Sequence, residues 1–350
     1  MANVVVTGGS GFLGSRLARE LLAAGSLDVA GAGSRPLTGL TLVDRAPAPA
    51  ELAADSRVSV IGGDLADLLD PAAGSDPPSG TNPPSGRSAR GALAGADVIF
   101  HLAAAVSGEC ETDFDLGMRT NLAATESLLA TCRALGTNPV VIFASSVAVF
   151  GATADRPLPA VVDDHTLPSP QSSYGTQKLV AEYLLADYTR KGFLRGRTVR
   201  LMTVVVRPGL PNAAASGFLS AIIREPLAAQ RTTCPVDPGT EVALASPARA
   251  IEGLLRAATS PESAWGGPAA VNLPSLTVTV ADMVAALERA AGAEASALID
   301  WVPDPAVARI VTGWPARLRT ARAARLGLAP DPDFDSIVAM HRAETATRTA

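Results

Sequence analysis

The first 25 residues constrain the fold of this 350-residue chain more than any other segment. The apolar run Asn3-Val4-Val5-Val6 predicts a buried strand, which leads directly into the glycine-rich segment Thr7-Gly8-Gly9-Ser10-Gly11-Phe12-Leu13-Gly14. A helical pattern follows, with leucines at positions 13, 17 and 21, and Ala24-Gly25 ends it. Glycines let a backbone approach a pyrophosphate closely, and the free N–H groups at a helix start attract its negative charge. The segment therefore predicts a dinucleotide-binding unit in which Gly8, Gly11, Phe12 and Leu13 contact the cofactor.

A second predicted strand carries the residue that we expect to select the cofactor. Thr41-Leu42-Val43 ends in Asp44, whose carboxylate is placed to accept hydrogen bonds from the adenosine ribose hydroxyls. This residue favours NAD over NADP. The alternative of a solvated turn aspartate stays open, because the gap from Gly14 exceeds the usual ~20 residues. Arg45 is also adjacent, and an arginine there could tolerate a 2′-phosphate.

A third predicted strand, Val58-Ser59-Val60-Ile61, leads to an acidic position at the same edge of the sheet. It is followed by Asp64 and Leu65, which are placed where an adenine could lie across the carboxyl ends of the strands. Asp64 could instead cap the next helix, and the two roles are compatible.

The segment 96–104 predicts a fourth strand that ends in small residues. Ala103 and Ala104 are small enough to let a cofactor pack closely against the chain. We interpret His101 in the same run as a strand-end residue rather than a catalyst.

Strands and helices alternate along the chain as far as about residue 142, which is typical of an α/β protein with a parallel sheet. We predict a Rossmann-type doubly wound parallel sheet with a smaller C-terminal substrate-binding α/β region. Residues 1–200 would form the NAD-binding domain. Residues 201–350 would be mainly the substrate-binding region, with some of this chain able to return to the Rossmann sheet. Residues 71–90 contain Pro-Pro-Ser-Gly twice and too few apolar residues to pack, so they predict a flexible surface insertion.

Tyr174 and Lys178 are the strongest indication of chemistry. The chain has only three tyrosines and two lysines, yet these two residues stand four apart. On a helix, residues i and i+4 share a face, so the ammonium would lie one turn from the phenol. A nearby cation favours the phenolate, and we therefore expect the pKa of Tyr174 to fall from its usual ~10 towards neutral pH. The pair predicts proton transfer to or from a hydroxyl or carbonyl group.

The motifs follow one another in a characteristic order. This order is Thr7-Gly8-x-x-Gly11-x-x-Gly14, Asp64-Leu65, His101-Leu102-Ala103-Ala104, Asn121, Ser145-Ser146 and Tyr174-x-x-x-Lys178. In this combination nearly all of the chain resembles the extended short-chain dehydrogenase/reductases, which implies a Rossmann fold and NAD. The resemblance implies that Tyr174 is the acid/base, that Lys178 activates it and binds the ribose, and that Ser146 binds the substrate hydroxyl. It further implies that Asn121 supports the proton relay and that the helices bearing Asn121 and Tyr174 form a homodimer interface.

The choice of Ser146 over Ser145 depends on the distance to Gly151. Ser146 lies five residues before this glycine, which matches the family's catalytic serine. The alternative is that both hydroxyls only satisfy backbone groups at the strand end. Phe150 replaces the tyrosine that is frequent there in sugar-nucleotide epimerases, so this position does not favour an epimerase.

Five later segments support a narrower resemblance. They are 174–178, 206–216, 222–227, Trp301-x-Pro303-Asp304-Pro305 and Gly313-Trp314-Pro315. Together they resemble the D-erythronate dehydrogenases, which oxidise the C2 hydroxyl of a four-carbon sugar acid with NAD. Leu210 stands where we would expect a lysine in that subfamily, so specificity here could differ.

A sugar-acid substrate requires a group that holds its carboxylate. Arg207 is our candidate, because it follows the apolar run Val204-Val205-Val206 and a buried carboxylate needs a cation or several donors. The alternative is a structural ion pair between Arg207 and an acid such as Glu225. Weaker candidates for contacts with the sugar hydroxyls are Ser107, Asn212 and Ser216.

Composition excludes several other classes of function. The formal net charge is −5 and no basic cluster occurs, so nucleic acid is not an expected partner. The opening apolar run is too short for a signal peptide or a membrane span. Three scattered cysteines and three scattered histidines predict reduced thiols, no metal site and a cytoplasmic location.

Two competing functions remain open from the sequence. A nucleotide-sugar epimerase or dehydratase would need basic and aromatic residues in the C-terminal half to bind a diphosphate, and aromatic residues are scarce there. A non-catalytic dinucleotide sensor would keep the glycine turn but tends to lose the catalytic tyrosine and lysine, both of which are present.

Overall fold

A computed structural model of the protein describes residues 1–70, 88–153, 155–209 and 214–349, with side chains as far as residue 346. The strands are β1 (Ala2–Thr7), β2 (Ser26–Asp28), β3 (Ser34–Asp44), β4 (Val58–Gly62), β5 (Val98–His101), β6 (Val140–Ser146), β7 (Val162–Asp163), β8 (Arg195–Leu201), β9 (Thr203–Val204), β10 (Thr232–Cys234), β11 (Glu241–Ala245), β12 (Val271–Asn272), β13 (Leu276–Thr279), β14 (Ile299–Trp301) and β15 (Leu318–Arg319).

The helices are α1 (Phe12–Ala24), α2 (Ala50–Ala53), α3 (Leu65–Leu68), α4 (Ala89–Ala94), α5 (Ser107–Thr112), α6 (Phe114–Gly117), α7 (Ala124–Leu135), α8 (Ser173–Arg190), α9 (Phe218–Leu227), α10 (Pro247–Thr259), α11 (Glu262–Trp265), α12 (Val280–Ala291), α13 (Ala293–Ser296), α14 (Pro305–Thr312), α15 (Ala321–Arg325) and α16 (Phe334–Thr349). A π-helical turn, Met118–Ala123, joins α6 to α7, and a short 3₁₀ turn, Val147–Val149, follows β6.

The central sheet has the strand order β12-β8-β6-β5-β1-β3-β4, and all of these strands are parallel. The short strand β2 pairs antiparallel with the beginning of β3. The chain starts at β1, proceeds outward to β3 and β4, and then crosses to β5 on the other side of β1. This reversal is the topological switch point at which doubly wound sheets open a crevice for a ligand.

Apolar side chains cover both faces of this sheet, as a parallel sheet requires. One face packs against α1 and α10, through residues such as Leu17, Leu21 and Leu254. The other face packs against α7 and α8, through residues such as Leu128 and Leu185. The carboxyl ends of the strands are therefore the edge at which the loops and helix starts of both layers meet.

A smaller C-terminal lobe lies over that edge. Its core is formed by α9, α12, α14 and α16 together with the small sheets β13-β11-β9 and β10-β14. The strand β12 leaves this part of the sequence and pairs with β8 at the end of the central sheet. The lobe thus covers the crevice while part of the later chain extends the Rossmann sheet.

The predicted Rossmann-type α/β fold is confirmed. The second strand is longer than the predicted segment, and the fourth is shorter, because β5 ends at His101 and Ala103 and Ala104 lie in the loop that crosses the crevice. Most of the predicted insertion, residues 71–87, lies outside the described residues. Ser88 caps α4, which begins at Ala89. Within the described part of the chain, no helix combines the length and apolar character needed to cross a membrane.

Candidate active site

A cleft of about 320 Å³ opens at the carboxyl ends of β1, β5, β6 and β8. The sequence-predicted residues that line it are Gly8, Gly11, Phe12, Leu13, Ser107, Ser146, Tyr174, Lys178, Arg207 and Ser216. Residues separated by up to about 200 positions in the chain therefore meet in one place, because parallel strands present their carboxyl ends at the same edge.

The glycine turn after β1 fits the pyrophosphate of a dinucleotide. Gly8 has φ +72°, and a Cβ there would lie 2.7 Å from the backbone nitrogen of Ala103, so a side chain is excluded. A Cβ on Gly14 would lie 2.0 Å from the carbonyl oxygen of Gly8. The first N–H groups of α1 have no side-chain cap, and the Ser10 hydroxyl is buried without a partner among the described residues. These groups remain available to an anionic ligand.

The two acids predicted for the adenosine part lie at the expected strand ends. Asp44 accepts hydrogen bonds from the backbone N–H of Ser10 and of Ala46, each at 3.0 Å, which ties it to the glycine turn. Asp64 caps α3 by accepting from the Ala66 N–H at 2.9 Å. This is the capping role that we considered for it from the sequence. Its other oxygen pairs with Arg119, and the neighbouring Leu65 is buried.

Ser146, Tyr174 and Lys178 meet at the end of β6. Ser146 is the last residue of that strand, where its Oγ accepts from the Ala148 N–H at 3.1 Å, and it lines the cleft together with Tyr174 in the first turn of α8. Lys178 is buried one turn later and donates to the Ala144 carbonyl at 2.9 Å. Its Nζ lies 5.7 Å from the centre of the Tyr174 ring. The spacing inferred from the sequence therefore places the phenol, the hydroxyl and the ammonium together.

The expected fall in the pKa of Tyr174 is wrong, and Lys178 is not among the groups that shift it. Burial raises the pKa of Tyr174 above its ordinary value, and this outweighs the lowering by the Ser146 hydrogen bond and by the charge of Arg207. Burial also lowers the pKa of Lys178, to about 8. The sequence pattern indicated the neighbours correctly but could not show how far the site is removed from water.

Asn121 lies one layer behind the cleft rather than in it. Its side-chain oxygen accepts from the Ala105 N–H at 2.8 Å, and its Nδ2 donates to the carbonyl of Ala105 and to Gln177. Its backbone is part of the π-helical turn, a local widening that is frequent at functional sites. The sequence analysis did not identify Gln177, whose buried amide completes this contact between the two helices.

His101 is the last residue of β5, as interpreted from the sequence. Its ring nitrogens are engaged by the hydroxyls of Thr7 and Thr125 at 2.7 and 2.8 Å. Burial lowers the pKa of His101 to about 3. The residue is thus a neutral, fully bonded part of the core.

Arg207 reaches the cleft from the loop after β9. Its Nε donates to the Val204 carbonyl at 3.1 Å, and burial lowers its pKa while Tyr174 raises it. The alternative ion pair with Glu225 is wrong, because Glu225 pairs with Arg224 at 2.5 Å. In the described residues, no carboxylate neutralises Arg207.

The remaining substrate candidates are divided between described and undescribed segments. Ser107 accepts from the Ala215 N–H at 3.2 Å, so it joins the start of α5 to the loop that carries Ser216. Both hydroxyl residues line the cleft, whereas Asn212 and Leu210 lie outside the described residues.

Trp314 was not proposed as a site residue from the sequence. It lines the cleft from the C-terminal lobe. In the sequence, Trp314 was noted only as part of the Gly313-Trp314-Pro315 segment of the family resemblance, which implied no role for it.

The chain matches the model of a known family over a large central segment. Residues 84–242 match the NAD dependent epimerase/dehydratase family. A D-erythronate dehydrogenase from Cupriavidus necator is 47% identical over 338 residues, which is 96% of each chain. A D-erythronate dehydrogenase from Haemophilus influenzae is 36% identical over 335 residues, covering 96% of this chain and 97% of the relative.

A solved structure is also similar over nearly the whole chain. It is described as the nucleoside-diphosphate-sugar epimerase from Agrobacterium tumefaciens and superposes with a TM-score of 0.82 at 37% identity, over 97% of this chain and 93% of that one. The motif order, the sheet topology and these relatives agree, and the chain belongs to the NAD-dependent epimerase/dehydratase family of extended short-chain dehydrogenase/reductases.

Proposed function

We propose that the protein oxidises the C2 hydroxyl of a short sugar acid with NAD, and that its substrate is D-erythronate, which becomes 2-oxo-tetronate. Both full-length relatives described above carry the name of this activity. The proposal predicts a site with a base for the hydroxyl proton, a hydride acceptor and a cation for the carboxylate.

Arg207 is the observation that carries the proposal. It is a partly buried guanidinium that shares the cleft with Tyr174 and Ser146, without a carboxylate partner in the described residues. A buried charge is costly unless it is paired. A substrate carboxylate next to the reacting carbon would supply the missing anion, and the planar guanidinium can hold both of its oxygens.

The reaction divides between the chain and the cofactor. Bound NAD supplies the hydride acceptor for the hydrogen on C2. Tyr174 takes the proton of the C2 hydroxyl, so that the C2–H and O–H bonds break as the C=O bond forms. Ser146 binds the same oxygen and orients it. Lys178, which donates to the Ala144 carbonyl, would keep a positive charge beside the phenol and bind the ribose.

Other residues hold these groups in place. The predicted role of Asn121 in the proton relay fits best as support, since its amide fixes Ala105 in the loop beside the cleft. Ser107 and Ser216, which line the cleft, would bind the sugar hydroxyls. Gly8, Gly11, Phe12, Leu13 and Ala103 would contact the cofactor, with Asp44, Asp64 and Leu65 around its adenosine part.

The main alternative is a nucleotide-sugar epimerase, which the name of the similar solved structure favours. That reaction needs room for a nucleoside diphosphate in addition to NAD. Gly8, Gly11 and Gly14 of the cofactor turn line the same cleft as Tyr174 and Arg207, so NAD and the substrate would share it. The D-erythronate dehydrogenases, which are 47% and 36% identical over 96% of this chain, favour the short acid as the substrate. A non-catalytic sensor is not supported, because Ser146, Tyr174 and Lys178 are assembled.

Loss of the phenol should remove the base without removing the cofactor site. The wild type should reduce NAD with D-erythronate, and Tyr174→Phe should lower kcat by about 10²–10⁴. Its Kd for NAD should stay within about threefold. Because burial raises the pKa of Tyr174 and the phenolate is the base, the wild-type rate should rise from neutral towards alkaline pH.

The turnover of each variant is measured by the absorbance of reduced nicotinamide with a panel of aldonates. Tyr188→Phe, on the same helix, is the control. Near-normal turnover by a folded Tyr174→Phe variant would contradict the mechanism. Interconversion of UDP-sugars without net NAD reduction would favour the epimerase.

Asp44 should determine the choice between NAD and NADP, because its carboxylate repels a 2′-phosphate. We expect kcat/KM to favour NAD by at least about tenfold, or about 1.4 kcal/mol. Asp44→Asn keeps the hydrogen-bonding shape but removes the charge, so it should narrow this preference. Steady-state kinetics with both cofactors measure this preference. Equal use of NADP by the wild type would show that a residue other than Asp44 contacts the ribose and sets the choice of cofactor.

Removal of Arg207 should affect the aldonate and spare the cofactor. Arg207→Ala should cost about 2–4 kcal/mol in kcat/KM for the aldonate, as expected for a charge-assisted, water-excluded contact. Arg207→Lys should restore only part of it, since an ammonium cannot orient both oxygens. The exposed Arg231 in the same lobe provides the control Arg231→Ala. Unchanged aldonate kinetics in Arg207→Ala would require a different carboxylate anchor.

We further propose a cytoplasmic homodimer that acts in carbohydrate metabolism. The three cysteines are buried free thiols, which suits a reducing compartment. Leucines of α7 and α8 such as Leu128 and Leu185 are buried against the sheet, so they cannot form the dimer interface. Exposed apolar side chains remain on α6 and α8: Phe114 is 59% exposed, Val180 38% and Tyr183 62%. A second copy packed on this face would cover them.

Introducing like charges on this face should therefore separate the subunits. Val180→Glu combined with Tyr183→Glu should convert a dimer into a monomer in sedimentation velocity experiments, because unpaired charges would be buried at the interface. Leu167→Arg, which changes an exposed apolar residue elsewhere, is the control. A monomeric wild type, or a dimer that survives the double change, would contradict this interface.

A further inference from the structure

A buried ion pair lies directly behind the candidate active site. Glu182 on α8 accepts from Arg200 on β8, with Nε–Oε1 at 2.9 Å and Nη2–Oε2 at 2.7 Å. Both side chains are at most 10% exposed. The same carboxylate accepts a hydrogen bond from the Ser145 hydroxyl. Arg200 also stacks on the ring of Phe150, 4.9 Å from its centre, so its guanidinium is held on several sides.

This cluster joins the two elements that carry the reacting groups. On α8, Glu182 follows Lys178 by four residues and Tyr174 by eight, so the three side chains share one face of the helix. On the sheet, the register places Ser145 opposite Arg200. Ser145 precedes Ser146 and follows the residue whose carbonyl holds Lys178. The carboxylate thus connects the helix of the base to the strand end of the substrate-binding serine.

Stability alone does not explain a charged cluster at this depth. Removing two charges from water costs several kcal/mol per ion, and well-packed apolar residues are often as stable as a buried ion pair. The neighbouring contacts of β6 and α8 are already apolar, through residues such as Val141 and Ala181. A fully bonded polar cluster does fix a geometry that apolar packing leaves adjustable.

The charge of Glu182 also acts on Lys178. The titratable or charged groups around Lys178 are Tyr174 and Glu182 on α8, Cys110 on α5, His101 on β5 and, beyond Glu182, Arg200 on β8. Burial lowers the pKa of Lys178 to about 8, while Cys110 and Glu182 raise it. Glu182 is the carboxylate among these groups, so it opposes the loss of the ammonium that burial favours.

We propose that Glu182, clamped by Arg200, is a positioning residue for the reaction: it fixes Ser146 through the Ser145 hydroxyl and stabilises the positive charge of Lys178. The positioning part rests on the proposed function, because it concerns the oxidation of the substrate hydroxyl. The electrostatic part does not depend on any substrate.

Two variants separate these parts. Ser145→Ala removes the link to the strand end but leaves both charges paired, whereas Glu182→Gln removes the charge and keeps an acceptor for Ser145. We expect each to lower kcat for D-erythronate by roughly tenfold or more, as a displaced catalytic group does, with KM values within about threefold. Asp187→Asn, which opens an exposed ion pair on the same helix, should leave kcat unchanged.

The charge of Lys178 can be followed directly, since the chain has only two lysines, Lys178 and Lys191. Selective ¹³C labelling of lysine gives two side-chain NMR signals whose pH titration can be recorded without substrate. In Glu182→Gln the Lys178 signal should titrate at lower pH than in the wild type, because the carboxylate no longer favours the ammonium. In Ser145→Ala it should titrate as in the wild type. The exposed Lys191 serves as the internal reference.

Each outcome bears on the proposal. Wild-type kcat in both variants, or an unmoved Lys178 titration in Glu182→Gln, would overturn it. A lowered melting temperature with normal kcat would assign the cluster to stability alone. If Glu182→Gln does not fold, Ser145→Ala decides the positioning part. An inactive wild type would count against the proposed function only, because the lysine titration would still test the role of Glu182.

Discussion

The parallel pairing of β1 with β3 on one side and with β5 on the other is the constraint on which the rest of the structure depends. The strand order reverses at β1, so the two following connections diverge and a crevice opens at the carboxyl ends. Gly8 lies so close to the backbone of Ala103 across this crevice that position 8 has no space for a side chain. The serine, the tyrosine and the arginine of the site all reach the same edge from later strands and helices.

The cleft concentrates positive charge in an acidic protein. The chain has a formal net charge of −5, yet the described lining residues include two cations, Lys178 and Arg207, and no carboxylate. Burial lowers the pKa of both cations and raises that of Tyr174, so the charged form of each group is disfavoured. An anionic substrate would relieve the cost of Arg207, while Glu182 behind the site already offsets part of that of Lys178.

Much of the candidate site was predictable because its motifs are local. The glycine turn, the aspartate at the end of β3 and the four-residue spacing of Tyr174 and Lys178 each lie within one strand, turn or helix. What the sequence could not determine concerned partners and environment: Glu225 pairs with Arg224, which removes the alternative partner of Arg207, and the pKa of Tyr174 rises instead of falling as expected. Both depend on segments that approach one another only in the folded chain.

The sequence by itself determined the Rossmann class, the dinucleotide turn and the pairing of Tyr174 with Lys178, because periodicity and short-range spacing are properties of a single segment. Only the tertiary structure decided how deeply those groups are buried, which charges face them and that Arg200 stands opposite Ser145. Burial and register follow from the packing of elements far apart in the chain. For that reason the carboxylate of Glu182, unremarked in the sequence, becomes a neighbour of the reacting groups in the fold.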